Sequence, residues 1–166
     1  MISGSDLTEN LRNMLKQKGY SMNTSSEHYL VKQLKESYCY IPLDYQIESK
    51  KDLSLISQNF ELPDGQIMQL DIERFNNPSL FGKDIKPIQQ QIADQFPLFH
   101  DKNIQSLMFN NLIFTGSPTL TQGFQERIEN ELLLSLPSNT RYRTLFFPER
   151  SHRAWTGGSI FASLSF

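Results

Sequence analysis

The chain has 166 residues, 38% of them apolar and 20% charged, with a formal net charge of −2. That length fits one ordinary domain or two small lobes with a real core, and the composition excludes a disordered chain. With no basic stripe, one cysteine (Cys39), and His28, His100 and His152 scattered, the sequence argues against nucleic acid as main partner, an intrachain disulfide and a histidine metal site.

In chain order, residues 5–18 read as a helix, with Leu7, Leu11, Met14 and Leu15 at helical spacing and Ser5 or Asp6 as the expected cap. Lys18-Gly19 closes it, because glycine accepts the left-handed conformation after a helix end. A second helix is predicted over 26–39, carrying Tyr29, Leu30, Leu34 and Tyr38, with Ser25 or Ser26 as cap. A polar connector over 45–54 leads into strands predicted at 55–62 and 66–71, joined by the turn Pro63-Asp64-Gly65. Pro78, Pro87 and Pro97 punctuate short helices over 77–104. A helix over 101–110, a strand over 111–114, a helix over 123–135, a strand over 143–147 and a helix opening at 155–159 complete the pattern. Alternating strands and helices predict an α/β layer arrangement. With Cys39 the only cysteine, a reducing compartment is expected; no apolar run approaches the roughly 18 residues of a membrane span, and no signal peptide opens the chain.

Separated stretches carry a resemblance to one family. "FELPDGQIMQLDIERF" at 60–75, "ERSHRAWTGGSIFASLS" at 149–165, "SGSDLTENLRNMLKQKGYSM" at 3–22 and "VKQLKESYCYIPLDY" at 31–45 resemble, in family order, the later half of actin. The resemblance implies a partial actin-like, ribonuclease-H-related ATPase fold. Residues 1–85 are expected to form a small outer lobe (actin subdomain-4-like). Residues 86–166 are expected to form an incomplete inner lobe (subdomain-3-like) with the start of the final core helix, the boundary falling near 80–90. It further implies that both chain ends lie inside the fold. The family's glycine-rich phosphate loops, its metal-binding acidic residues and the glutamine at the attacking water are absent from this chain. Leu62, Phe75, Trp155, Ile160 and Leu164 are expected to pack.

Lys32, Lys35 and Glu36 share one helix face by spacing. The resemblance implies that this face lines an adenine and ribose, with the carboxylate accepting ribose or adenine donors and the lysine stems flanking the base. The alternative is a solvated ion pair on a helix surface. Gly116, Ser117 and Leu120 lie in "FTGSPTLTQG", a strand, glycine turn and helix start that suits close backbone approach to an anion. By the same resemblance, Ser117 replaces a second glycine, Pro118 removes a backbone donor, Leu120 keeps an apolar wall, and Thr121 replaces an aromatic residue. Ser151 stands where the family has a lysine beside the adenine, with Arg153 as a possible substitute, and Ser5 replaces an arginine at the cleft edge. Arg150 is expected to anchor the turn before the last helix, and Cys39 to be a structural thiol rather than the partner of His28 in a nucleophile pair.

The expectation is therefore a structural or assembly protein of cytoskeletal or actin-related machinery, not catalytic by itself. Its setting is cytoplasmic, with the nucleus also open. Expected partners are a complementing actin-fold half, or actin-related or scaffold proteins, with no direct nucleic acid and no membrane. No cofactor is expected on this chain alone; ATP and magnesium belong to a completed fold. The alternative is half of an ATP-binding cleft completed by another chain or by a missing N-terminal region. A peptide-capturing sheet edge and a product without independent function are further readings. "FGKDIKPIQQQ" at 81–91 sets polar residues where the family resemblance implies an apolar inter-strand plug, which argues against ordinary filaments.

Overall fold

The computed structural model describes residues 3–75 and 86–164. The chain divides into two compact units, Met1–Ile85 and Lys86–Phe166, each with its own core. Pro78 and the 81–85 part of the polar segment lie outside the described residues.

In the first unit, α1 (Gly4–Gln17) and α2 (Ser25–Tyr38) each begin with a reciprocal cap. The Ser3 hydroxyl accepts from the Asp6 N–H at 3.3 Å, and the Asp6 carboxylate accepts from the Ser3 N–H at 2.7 Å. Thr24 and Glu27 repeat the arrangement. Ser3 and Thr24 are thus the caps rather than Ser5, Asp6, Ser25 or Ser26, because the paired carboxylate must sit three residues downstream of the hydroxyl. Gly19, at φ +98°, ends α1 as expected, its N–H donating to Lys16 O.

The connector contains two single helical turns, α3 (Tyr45–Glu48) and α4 (Leu53–Ile56). The first strand consequently starts later than predicted, since the Asp52 carboxylate accepts from Ser54 N–H and Ile56 is buried. Strands β1 (Gln58–Glu61) and β2 (Ile67–Leu70) pair antiparallel, with Phe60 opposite Met68. Met68 and Leu70 point inward while Ile67 and Gln69 face solvent, the two-residue alternation of a half-covered sheet. They meet Leu11, Leu15, Met22, Val31 and Leu34 in one core, with Leu62 half-buried beside it; Phe75 is also buried. Arg74 ties the end of this unit together, donating to Tyr38 O and to Ile56 O while lying over the Tyr40 ring.

The second unit contains α5 (Ile88–Gln95), α6 (Lys102–Phe109), β3 (Leu112–Phe114), α7 (Phe124–Ser135), β4 (Thr144–Phe146) and α8 (Arg153–Ser163). β3 and β4 pair parallel, Phe114 opposite Phe146, with α7 in the crossover that a parallel pair requires. Phe114 and Phe146 stack at 5.0 Å, and Phe124 meets Phe114 edge-on at 6.0 Å. Phe109, Ile128, Leu132 and Leu136 complete the buried set.

The helix α8 departs from expectation. Trp155 is 77% exposed, Ile160 59% and Leu164 54%, so three residues expected to pack do not. Phe161 is exposed as well, and the helix is held at its start, where Arg153 lies over the Phe147 ring and Thr156 is half-buried. By helical spacing Thr156, Ser159 and Ser163 form a polar stripe, and the exposed Trp155, Ile160 and Phe161 lie outside it.

Candidate functional site

On α2, Lys32 and Glu36 are exposed and Lys35 is half-buried. Among the described residues Lys32 and Glu36 form no ion pair, so the solvated pair is not what joins this face. Lys35 instead turns inward. Its ammonium donates to Gly4 O at 2.8 Å and to Thr8 Oγ1 at 2.9 Å, and the Thr8 hydroxyl donates to Gly4 O at 3.0 Å. Burial lowers the Lys35 pKa, and the neighbouring Lys32 charge adds to the effect against the opposing pull of Glu36. Cys39, near the end of the same helix, has its thiol pushed up to about 12, chiefly by burial, which removes the thiolate needed for nucleophilic work.

In the second unit, Gly116 adopts φ +98° and begins a short turn over Ser117–Leu120. Any residue with a side chain is strained at that φ, which accounts for glycine here. Ser117 and Leu120 are exposed. The backbone donors of the turn are largely engaged: Gly116 N–H goes to Arg150 O at 2.9 Å, Thr119 N–H to Gly116 O, and Thr121 N–H to Pro118 O. Pro118 has none to give. A cradle for an anion needs several N–H groups converging outward, and the N–H groups of Gly116, Thr119 and Thr121 are already bonded to protein carbonyls.

Arg150 is the anchor that the sequence suggested, with more bonds than the sequence revealed. Its Nε donates to Thr119 Oγ1 and one Nη to Thr119 O, both at 3.0 Å, while the other Nη reaches Phe147 O at 3.2 Å. Its guanidinium lies over the Phe146 ring, and its carbonyl also accepts from the Thr115 hydroxyl at 2.7 Å. Arg153 places its guanidinium 4.1 Å from the Phe147 ring centroid, and Ser151 is half-buried.

Neither Thr8 nor Thr119 stood out in the sequence, although both organise the candidate residues. Threonine four residues after Gly4 on α1, and three after Gly116 in the turn, is the available signal. Among the described residues no three histidine, cysteine, aspartate or glutamate side chains come together to hold a metal ion, and no helix is long and apolar enough to cross a membrane.

The chain matches the family model described as Actin over residues 2–166. It is similar to centractin of Schizosaccharomyces pombe, with 33% identity over 172 aligned positions that cover 99% of this chain and 45% of that protein. The chain thus spans less than half the length of this relative.

Proposed function

We propose a role that starts from a plain fact: the chain belongs to the actin family and carries a part of its α/β fold. The role is structural. The chain works as an assembly or interaction protein of cytoskeletal or actin-related machinery in the cytoplasm, and does not catalyse a reaction by itself. The observation that carries this reading is α8, whose Trp155, Ile160 and Phe161 are all exposed, as is Leu164 just after it. By helical spacing Ala154, Trp155, Phe161 and Ala162 lie on one broad side of it and Thr156, Ser159 and Ser163 on the other, and an exposed apolar face of this kind calls for a protein partner.

The test is the native mass of the chain, purified gently from its own source. A complex larger than 19.3 kDa that contains other polypeptides supports the reading. A dilution-stable monomer at that mass, unfolding cooperatively, ends it.

A second reading is an ATP-binding half-cleft, completed by another chain or by a preceding region. The exposed Lys32 and Glu36 on α2 favour it, because these side chains remain open to a ligand. Millimolar ATP should then stabilise the completed assembly. Failure to do so removes this second reading while leaving the structural role in place.

A further inference from the structure

Lys35 differs from the two polar residues that share its face. Lys32 and Glu36 reach into solvent, whereas Lys35 lies half-buried and crosses to a different helix. Of the three donors on its ammonium, one is held by Gly4 O at 2.8 Å and another by Thr8 Oγ1 at 2.9 Å. The Thr8 hydroxyl closes the set by donating to Gly4 O at 3.0 Å. Thr8 itself is 2% exposed, so water does not readily replace its half of the contact. The long lysine stem makes this turn possible, because it places the charged end well away from the α2 backbone.

We infer that the first turn of α1 is an internal competitor for Lys35: Gly4 O and Thr8 Oγ1 hold two of its three donors, so a nucleotide that draws on more than the third must displace the lysine from them. The inference rests on the nucleotide reading given as the second alternative above, and adds a regulatory contact to it. Gly4 O tolerates the displacement, since the Thr8 hydroxyl still donates to it. Two consequences follow from linkage. Nucleotide affinity is reduced by the fraction of time that Lys35 is held, and anything that loosens the first turn of α1 raises that affinity. Conversely, bound nucleotide loosens the turn.

The experiment uses the chain purified from its own source, in whatever complex carries it, as wild type, Thr8→Val and Lys35→Met. Two readouts are taken: amide exchange at Leu7 and Thr8, and the thermal shift produced by ATP or adenosine. Lys35→Met should speed exchange at those two amides several-fold without nucleotide; unchanged exchange would show that the lysine does not hold the turn and would overturn the inference. Thr8→Val, near in shape but lacking the hydroxyl, should raise apparent nucleotide affinity several-fold. If wild type and Thr8→Val respond equally, the nucleotide reading survives and the competition does not. If no form responds, including Thr8→Val, the nucleotide reading itself fails, and the competition with it.

Discussion

In the first unit two helices and a hairpin close on one another: Leu11, Leu15, Val31, Leu34, Met68 and Leu70 meet in one core. Its polar groups follow the same habit. Lys18 pairs with Asp71 and Glu73, and Lys35 braces α1 against α2. The second unit gathers its interior around aromatic rings, Phe114, Phe124 and Phe146, and leaves Leu107, Ile113, Leu134 and the Trp155, Ile160 and Phe161 side chains of α8 exposed. The difference is one of arrangement: the first unit also exposes Leu43, Leu55 and Ile67, but it scatters them over connector and hairpin, whereas the second sets Trp155, Ile160 and Phe161 on a single helix.

The sharpest challenge to this contrast is Phe124→Ala, which removes a ring that contacts both Phe114 and Phe146. It should destabilise the second unit by about 4 kcal/mol, read by denaturant titration followed by amide exchange in α7. Leu15→Ala, at a site that is 0% exposed, should cost the first unit about 3 kcal/mol in the same measurement. A larger loss for Leu15→Ala would reverse the ranking and show that the aromatic cluster is the more forgiving core.

Next comes Arg150→Ala. Truncation leaves Thr119 O and Phe147 O without a charged donor and should cost about 2 kcal/mol, with faster exchange at the Gly116 amide. Arg150→Lys should recover only part of this, because one ammonium cannot reproduce the fork that grips Thr119 twice.

Acid should act unevenly on the two units. Asp6 is held below its ordinary range by the Ser3 backbone and hydroxyl, Glu27 by Thr24, and Asp52 by Ser54. For Asp71 burial works against ionisation, yet Lys18 and Ser57 outweigh it and the net shift is downward. In the second unit only Asp94, bound by Lys86, is lowered among the described residues. A carboxyl whose folded pKa is depressed contributes stability that is present above its unfolded value, near pH 4, and is lost as pH falls through the folded value. Acidification below about pH 4 should therefore fray α1 and α2 before α7, as seen by residue-resolved exchange or NMR. Earlier loss of α7 would contradict the assignment of these caps.

The smallest expected effect on stability is at Trp155. Trp155→Ser should change unfolding free energy by less than about 0.5 kcal/mol, because the side chain is 77% exposed. The same variant should nonetheless shrink the native complex measured by sedimentation. A large loss of stability with unchanged mass would mean that α8 packs within this chain.

Much of the first unit was legible in the sequence. Leu7, Leu11 and Leu15 repeat at helical spacing, and Pro63-Asp64-Gly65 announces the hairpin. The caps are encoded as well, since Ser3 precedes Asp6 by three residues and Thr24 precedes Glu27 by three, although Ser5, Ser25 and Ser26 offer competing hydroxyls nearby. The role of Lys35 was not legible. Helical spacing places it beside Lys32 and Glu36, whereas its acceptors lie 31 and 27 residues earlier in the chain, a distance that periodicity does not bridge. The exposure of α8 was hidden for the opposite reason. Trp155, Ile160 and Leu164 look like core residues in one dimension, and only the three-dimensional neighbours decide whether anything lies against them. Gly116 and Arg150 were each legible singly, but the bond from the Gly116 N–H to the Arg150 carbonyl, which occupies that donor, was not.

The two strand pairs also set a timetable. β1 and β2 are joined by a short turn, and such a hairpin closes in about 1–10 μs. β3 and β4 run parallel with the whole of α7 between them, so their pairing must wait until that length of chain has been looped back and its closure entropy met. During synthesis the first unit's hairpin can thus be in place while β3 still lacks β4. In that interval Phe114 has no Phe146 to stack on, and this is the point at which a growing chain is most open to sticking to its neighbours.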